Sequence, residues 1–273
     1  MFNFAKIYQI FSHKKKKMAL SVNIRWLDSV DSTNSCLDGI RDTAEDMTVI
    51  AATDQKKGRG QRGNTWESKA GENLTFSILY KHNGLPVKDQ FAVTEAVSLA
   101  IVEYLGSKGV EASIKWPNDI YSGDRKICGI LIENHLSSDF LSDSVVGIGL
   151  NINQKDFPSS IPNPVSLSMI TGRAYDIKEE MQKIAGYLSS ARKLMGSWHD
   201  RNYLDCLYMD HLYRRGLWCS YEALPASDIP TEKRSGERFT ARILGIDNNF
   251  RLLLEKRDGH TESFAFKELK QIL

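Results

Sequence analysis

The sequence predicts an α+β chain: a mixed-sheet domain over residues 21–214, then a small antiparallel β-barrel over 215–273. Three observations carry this. Strand-like and helix-like segments in the first part do not alternate as a regular βαβ series, which argues against an all-parallel sheet. Apolar residues at helical spacing run through roughly 176–214, with Ile177, Met181, Ile184, Leu188, Leu194 and Trp198 as a core-facing stripe. From about Gly216 the texture changes to short strands separated by turn residues, among them Asp247-Asn248-Asn249 and Asp258-Gly259.

Taken in order, residues 1–20 read as an N-terminal extension without fixed structure. Its apolar part precedes its lysine block, which is the wrong order for a secretory signal. IRWLDSV (24–30) reads as a strand, and DSTN (31–34) opens a helix reaching to about residue 43, with Ser32 or Thr33 as N-cap. TVIAAT (48–53) and NLTFSILY (73–80) are strands. An apolar helix follows over 88–105 and stops near Gly106 and Gly109. SIKW (113–116), DRKICGILIEN (124–134) and SVVGIGLNIN (144–153) complete the strands. The two glycines inside the last suggest a close approach by a ligand or another backbone.

Composition narrows the function. The formal net charge of the 273 residues is +2, too small for a dedicated nucleic-acid binder. Five of the 36 basic residues lie in the first 17 positions, so the remaining 31 face 34 acids, a balance of −3. Against that mildly acidic body the loop KKGRGQRG (56–63) stands out. Its glycines permit close backbone approach, and its arginines offer planar forks suited to phosphate or carboxylate. No apolar run is long enough to span a bilayer. The four cysteines show no metal-like spacing and suggest reduced thiols in a cytoplasm.

Four further stretches accompany the loop: DSTN, KWPND (115–119), RKICGIL (125–131) and GIGLN (147–151). Each has a plain structural reading, as a cap, a proline turn, a solvated lysine or tight sheet packing. Their order and spacing, with Trp66 three residues beyond GRGQRG, resemble the biotin protein ligases (biotin–[acetyl-CoA-carboxylase] ligases) from about Ile24 to Asn153. The terminal barrel fits the SH3-like domain of that family. The family's DNA-binding helix-turn-helix has no counterpart here, as in the short monofunctional form.

The resemblance implies ATP and biotin as substrates, Mg2+ with the ATP, and a biotin carboxyl carrier domain as acceptor. It implies no nucleic acid or membrane partner and leaves room for a homodimer. Lys126 and Arg59 match catalytic cations, and Asp119 is a candidate magnesium ligand or a base for the acceptor amine. Ser32, Thr33, Asn34, Gln55, Gly58, Gly60 and Gln61 match the biotin side, together with Arg59 and Lys126. Gly129, Ile130, Leu131, Gly147 and Gly149 match an apolar wall around biotin. Arg62, Trp66, Asn118 and Asn151 match the nucleotide side, again with Arg59 and Lys126. Gln61 stands where many relatives carry arginine, and the basic loop is expected to be a mobile cover. The competing readings are a lipoate–protein ligase or octanoyl transferase, a nucleic-acid-binding regulator, and a non-catalytic biotin sensor.

Overall fold

A computed structural model describes residues 22–224 and 236–272, leaving the N-terminal extension outside. The side chains of Arg62, Trp198 and His199 also lie outside the description. The contacts divide the chain at Tyr208/Met209 into two units, where the sequence placed the change at 214/215.

The first unit is built on a seven-stranded sheet: β1 (Asn23–Val30), β2 (Thr48–Gln55), β3 (Leu74–Pro86), β4 (Ser113–Lys115), β5 (Asp119–Ser122), β6 (Arg125–Ser137) and β7 (Phe140–Leu150). Its order is β1-β2-β3-β7-β6-β5-β4. Only β1 and β2 pair in parallel; the other neighbours are antiparallel, so the sheet is mixed. Among the described residues five helices accompany it: α1 (Thr33–Asp38), α2 (Phe91–Gly106), α3 (Leu167–Thr171), α4 (Ile177–Arg192) and α5 (Trp198–Asp210).

The two faces of the sheet do different jobs, and strand pleating decides which residue serves which. Phe76, Ile78 and Tyr80 of β3 fall on one face with Ile148 of β7, and Tyr80 reaches the backbone of Leu188 in α4. Twelve of the sixteen α2 residues are buried, so this helix is covered on both sides; α4 packs on it through Met181, Ile184 and Leu188. The opposite face carries α1, whose Leu37 packs with Ile50, Leu79 and Val145. Here lie Thr75 and Ser77 of β3, Gly147 and Gly149 of β7, and Gly129, Leu131 and Glu133 of β6.

Three elements differ from expectation. The helix after DSTN is only six residues long, and turns continue to Ala44. The helical stretch 176–214 is two helices, broken at residues 193–197 beside Gly196. Asp119–Ser122, to which the sequence assigned no strand, is one, preceded by a cis Trp116–Pro117 peptide.

The second unit holds β8 (Trp218–Ala223), β9 (Arg238–Ile246), β10 (Leu252–Lys256), β11 (Thr261–Phe264) and β12 (Leu269–Ile272). Tyr221, Phe239 and Phe264 stack in its core at 6.1 and 5.7 Å between ring centroids. Both predicted turns form: Asp247 Oδ1 accepts from the N–H of Asn249 and Arg251, and Gly259 takes φ +84°. The strand order is β11-β10-β9-β8-β12, an open five-stranded antiparallel sheet. The expected barrel is therefore not closed: among the described residues no pairing joins β12 to β11.

Candidate functional site

The site lies on the α1 face, where three glycines leave a trough in the sheet. A Cβ at Gly149 would stand 2.2 Å from Cε2 of Trp66, and one at Gly129 2.9 Å from Cζ3 of the same ring. The Trp66 indole therefore lies against both glycines. At Gly147 a Cβ would stand 2.0 Å from Oδ1 of Asn34, so that glycine seats the Asn34 amide. Trp66 is held by its backbone N–H donating to the carbonyl of Gly58, 2.9 Å. Gly58 has no room for a side chain, since a Cβ there would sit 2.2 Å from Trp66 O.

Lys126 reaches this face through an irregularity. Counted by twos from Gly129, position 126 belongs on the helix face. The β5–β6 register shifts so that Ile120 faces Cys128 and Tyr121 faces Lys126, leaving Ile127 as an extra residue. A bulge of this kind re-aims the side chain beside it. Lys126 Nζ then lies 2.7 Å from Asp119 Oδ1 and 5.7 Å from the Trp66 ring centroid. Its backbone is fixed by the segment 157–165: Lys126 N–H donates to Asn163 O at 2.8 Å, and Lys126 O accepts from Val165 N–H at 2.9 Å. A half-exposed ion pair adds little stability, so its main effect is to fix the lysine rotamer. Beside it the Tyr121 hydroxyl is pushed up to about 12, chiefly by burial, with the Asp119 carboxylate adding to the effect. Cys128 points the other way, and burial pushes its thiol up, so it is no thiolate nucleophile.

Two cavities adjoin here. One of about 450 Å³ is bounded by Trp66, Asp119, Lys126, Asn151 and the proline-rich loop at Phe157 and Pro162. The other, about 580 Å³, is bounded by Lys57, Gly58, Arg59, Gly60, Leu131 and Glu133. Asn64 and Thr65 line both. The basic loop between them has a defined path: Gly60 N–H donates to Asn64 O at 2.7 Å, and Gln61–Gly63 form a 3-10 turn.

Beneath the second cavity runs a buried polar network. Thr33 donates its N–H to Gln55 Oε1 at 2.9 Å. Ser77 Oγ lies 2.8 Å from Thr33 Oγ1 and 2.5 Å from Asn34 Oδ1. Asn34 Nδ2 donates to Glu133 Oε2 at 3.0 Å, and Arg59 Nη2 meets the same oxygen at 2.6 Å. Ser32 occupies the N-cap of α1, yet its hydroxyl makes no capping bond.

Of the residues singled out from the sequence, this geometry gathers Thr33, Asn34, Gln55, Gly58, Arg59, Gly60, Trp66, Asp119, Lys126, Gly129, Leu131, Gly147, Gly149 and Asn151. Ile130 is a correction. It alternates with Gly129 and Leu131, so its side chain falls on the helix face, 2% exposed, and cannot join the wall they form. Asn118 lines neither cavity; its amide donates to Ile130 O and its carbonyl accepts from Ile130 N–H. Gln61 lines neither cavity, and the Arg62 side chain is outside the description. Sequence reasoning missed Ser77, Glu133, Tyr121 and the 157–164 loop. For Ser77 and Glu133 a signal existed, since a polar residue inside an apolar strand is unusual.

Among the described residues no group of three His, Cys, Asp or Glu side chains could cage a metal. Asp119 and Glu67 both line the smaller cavity. That donor set fits a magnesium ion carried mainly by phosphates, which needs only one or two carboxylates. No described helix is long and apolar enough to cross a membrane.

The profile of the biotin/lipoate A/B protein ligase family matches residues 26–151. The biotin–[acetyl-CoA-carboxylase] ligase of Paracoccus denitrificans is 31% identical over 167 residues, 58% of this chain and 68% of that protein. The bifunctional ligase/repressor of Bacillus spizizenii is 28% identical over 251 residues, 89% of this chain and 73% of that one. Among solved structures, the biotin protein ligase of Aquifex aeolicus in complex with biotin and ATP superposes with a TM-score of 0.69 at 25% identity. That match covers 92% of this chain and 98% of the other.

Proposed function

This chain belongs to the biotin protein ligase family, and from that premise we propose that it activates biotin with ATP as biotinyl-5′-AMP and transfers the biotinyl group to a lysine of a biotin carboxyl carrier domain. In the first step a carboxylate oxygen of biotin attacks the α-phosphorus. A new phosphorus–oxygen bond forms, and the bond to the bridging oxygen breaks as pyrophosphate leaves. Two anions must meet, so neutralisation and alignment matter more than an acid–base pair. In the second step the acceptor amine attacks the acyl carbon, loses a proton and displaces AMP.

The observation that carries the reading is the pair of cations on adjoining cavities: Lys126 on one, Arg59 on the other, with Asn64 and Thr65 common to both. Lys126, oriented by Asp119, is placed to bridge the biotin carboxylate and the α-phosphate. Arg59 covers the same anions from the loop. Trp66 leaves its second face for the adenine, and its buried indole Nε1–H has no partner among the described residues, a donor that a substrate acceptor would satisfy. Thr33 and Gln55 take the polar ring system of biotin. A magnesium ion would be held by the phosphates with Asp119 or Glu67 and would neutralise charge on the departing pyrophosphate. Closing the loop excludes water from an acyl-phosphate anhydride that water would destroy. The reading places the chain in the cytoplasm, where its four free thiols stay reduced.

The test offers labelled biotin or lipoate with ATP and a carrier domain. Biotin incorporation is expected; incorporation of lipoate alone overturns the reading.

A further inference from the structure

Glu133 of β6 bonds to both α1 and the basic loop, and the activity as described gives it no part. Its Oε2 accepts from Arg59 Nη2 at 2.6 Å and from Asn34 Nδ2 at 3.0 Å. Proton bookkeeping extends the connection. Ser77 has one hydroxyl proton and two oxygen neighbours, Asn34 Oδ1 and Thr33 Oγ1. The Asn34 amide is oriented with Nδ2 toward Glu133, so its Oδ1 can only accept, and the Ser77 proton belongs there. The hydroxyl of Thr33 lies 2.8 Å from Ser77 Oγ and donates to Gln55 Oε1 at 3.1 Å, and its backbone N–H serves the same Gln55 oxygen. One directed chain results, from Ser77 through Asn34 to Glu133, and there it meets the guanidinium of Arg59. Thr33, Asn34 and Ser77 are 0–3% exposed, so the chain is shielded from water along most of its length.

We infer that Glu133 is a positioning residue that competes with the anionic ligand for Arg59. Its carboxylate holds the loop arginine beside Leu131 and must share or surrender it when a biotin carboxylate or adenylate phosphate arrives. Asn34 fixes the carboxylate, so the pocket that takes the ring system and the loop that takes the anion are joined through one side chain. The identity of the anion rests on the biotin-ligase reading above. The Arg59 and Glu133 side chains are 43% and 34% exposed, so the pair is partly screened and its effect is modest.

Calorimetric titration of biotin and of its neutral methyl ester tests this, using wild type, Glu133→Gln, Arg59→Ala and the double variant. Glu133→Gln keeps the shape and an acceptor for Asn34 but removes the competing charge. It should tighten biotin by roughly two- to fivefold, leave the methyl ester unchanged, and lose its effect in the Arg59→Ala background. Unchanged or weaker biotin binding, an equal shift for the ester, or the same gain without Arg59 would each overturn the proposal. If Glu133→Gln folds poorly, Glu133→Asp withdraws the charge by one methylene and should shift biotin in the same direction, with the opposite shift overturning the idea. A wild type that binds no biotin sinks the ligase reading itself, which separates the two failures.

Discussion

Alanine at Gly149 should damage adenylation severely, while alanine at Gly129, its partner in the neighbouring strand β6, should damage it mildly. The contrast follows from the space above each glycine. Ordinary contact begins near 3.4 Å, so a Cβ at 149, only 2.2 Å from the indole, pushes Trp66 away by about 1.2 Å. At 129 the first ring atom is 2.9 Å away, and a shift of about 0.5 Å suffices. Overpacking of this kind costs about 1–3 kcal/mol of stability. The functional cost is larger, because the ring that moves lies beside Lys126, and a misplacement near 1 Å costs on the order of 10²-fold in rate. We expect Gly149→Ala to lower biotin-dependent ATP turnover by about that factor, and Gly129→Ala by less than about tenfold. Steady-state kinetics on both variants, with thermal melts to confirm folding, make the comparison. Wild-type kinetics for folded Gly149→Ala, or the reverse ranking, would refute the packing argument.

Three other outcomes are expected. Glu95 in α2 is 3% exposed and pushed up to about 10, chiefly by burial, with the Asp205 carboxylate adding to it. Its folded pKa lies above its unfolded one, so its contribution is complete below about 4.5 and is lost progressively as pH rises toward 10. Glu95→Gln should flatten that slope between pH 6 and 9 in urea melts; an unaltered slope would remove Glu95 as its source. Gln61→Arg adds a charge to the loop and should slow release of biotinyl-5′-AMP, which a filter-binding chase can follow; an unchanged off-rate would show the position does not touch retention. Amide exchange at 56–65 should slow at least about tenfold when the adenylate is bound, and equal exchange with and without it would end the mobile-cover idea.

Most of the fold was legible because its signals are local. Alternation in TVIAAT and NLTFSILY, the apolar helix before Gly106, and the glycine pair in GIGLN each report on their own segment. The site was legible where glycines and cations cluster in sequence. It was less so where partners are distant: Glu133 meets Arg59 and Asn34 across 74 and 99 positions, and its polarity within an apolar strand marks it without naming those partners. Ile130 is a different failure, since pleat parity from Gly129 was enough to place it on the helix face. Lys126 shows why parity alone is unsafe, because the bulge at Ile127 reverses it. The basic loop itself reads differently with its contacts in place. Its first glycine makes room for Trp66, and its first arginine already holds a carboxylate.

The central claim is that Lys126 and Arg59 bring two anions together. Biotin-dependent exchange of pyrophosphate into ATP tests it most directly, because it reads adenylation without any acceptor. We predict exchange by the wild type that requires biotin, and a loss on the order of 10²–10³-fold in Lys126→Ala. Exchange at near wild-type rate in a folded Lys126→Ala enzyme would contradict the account.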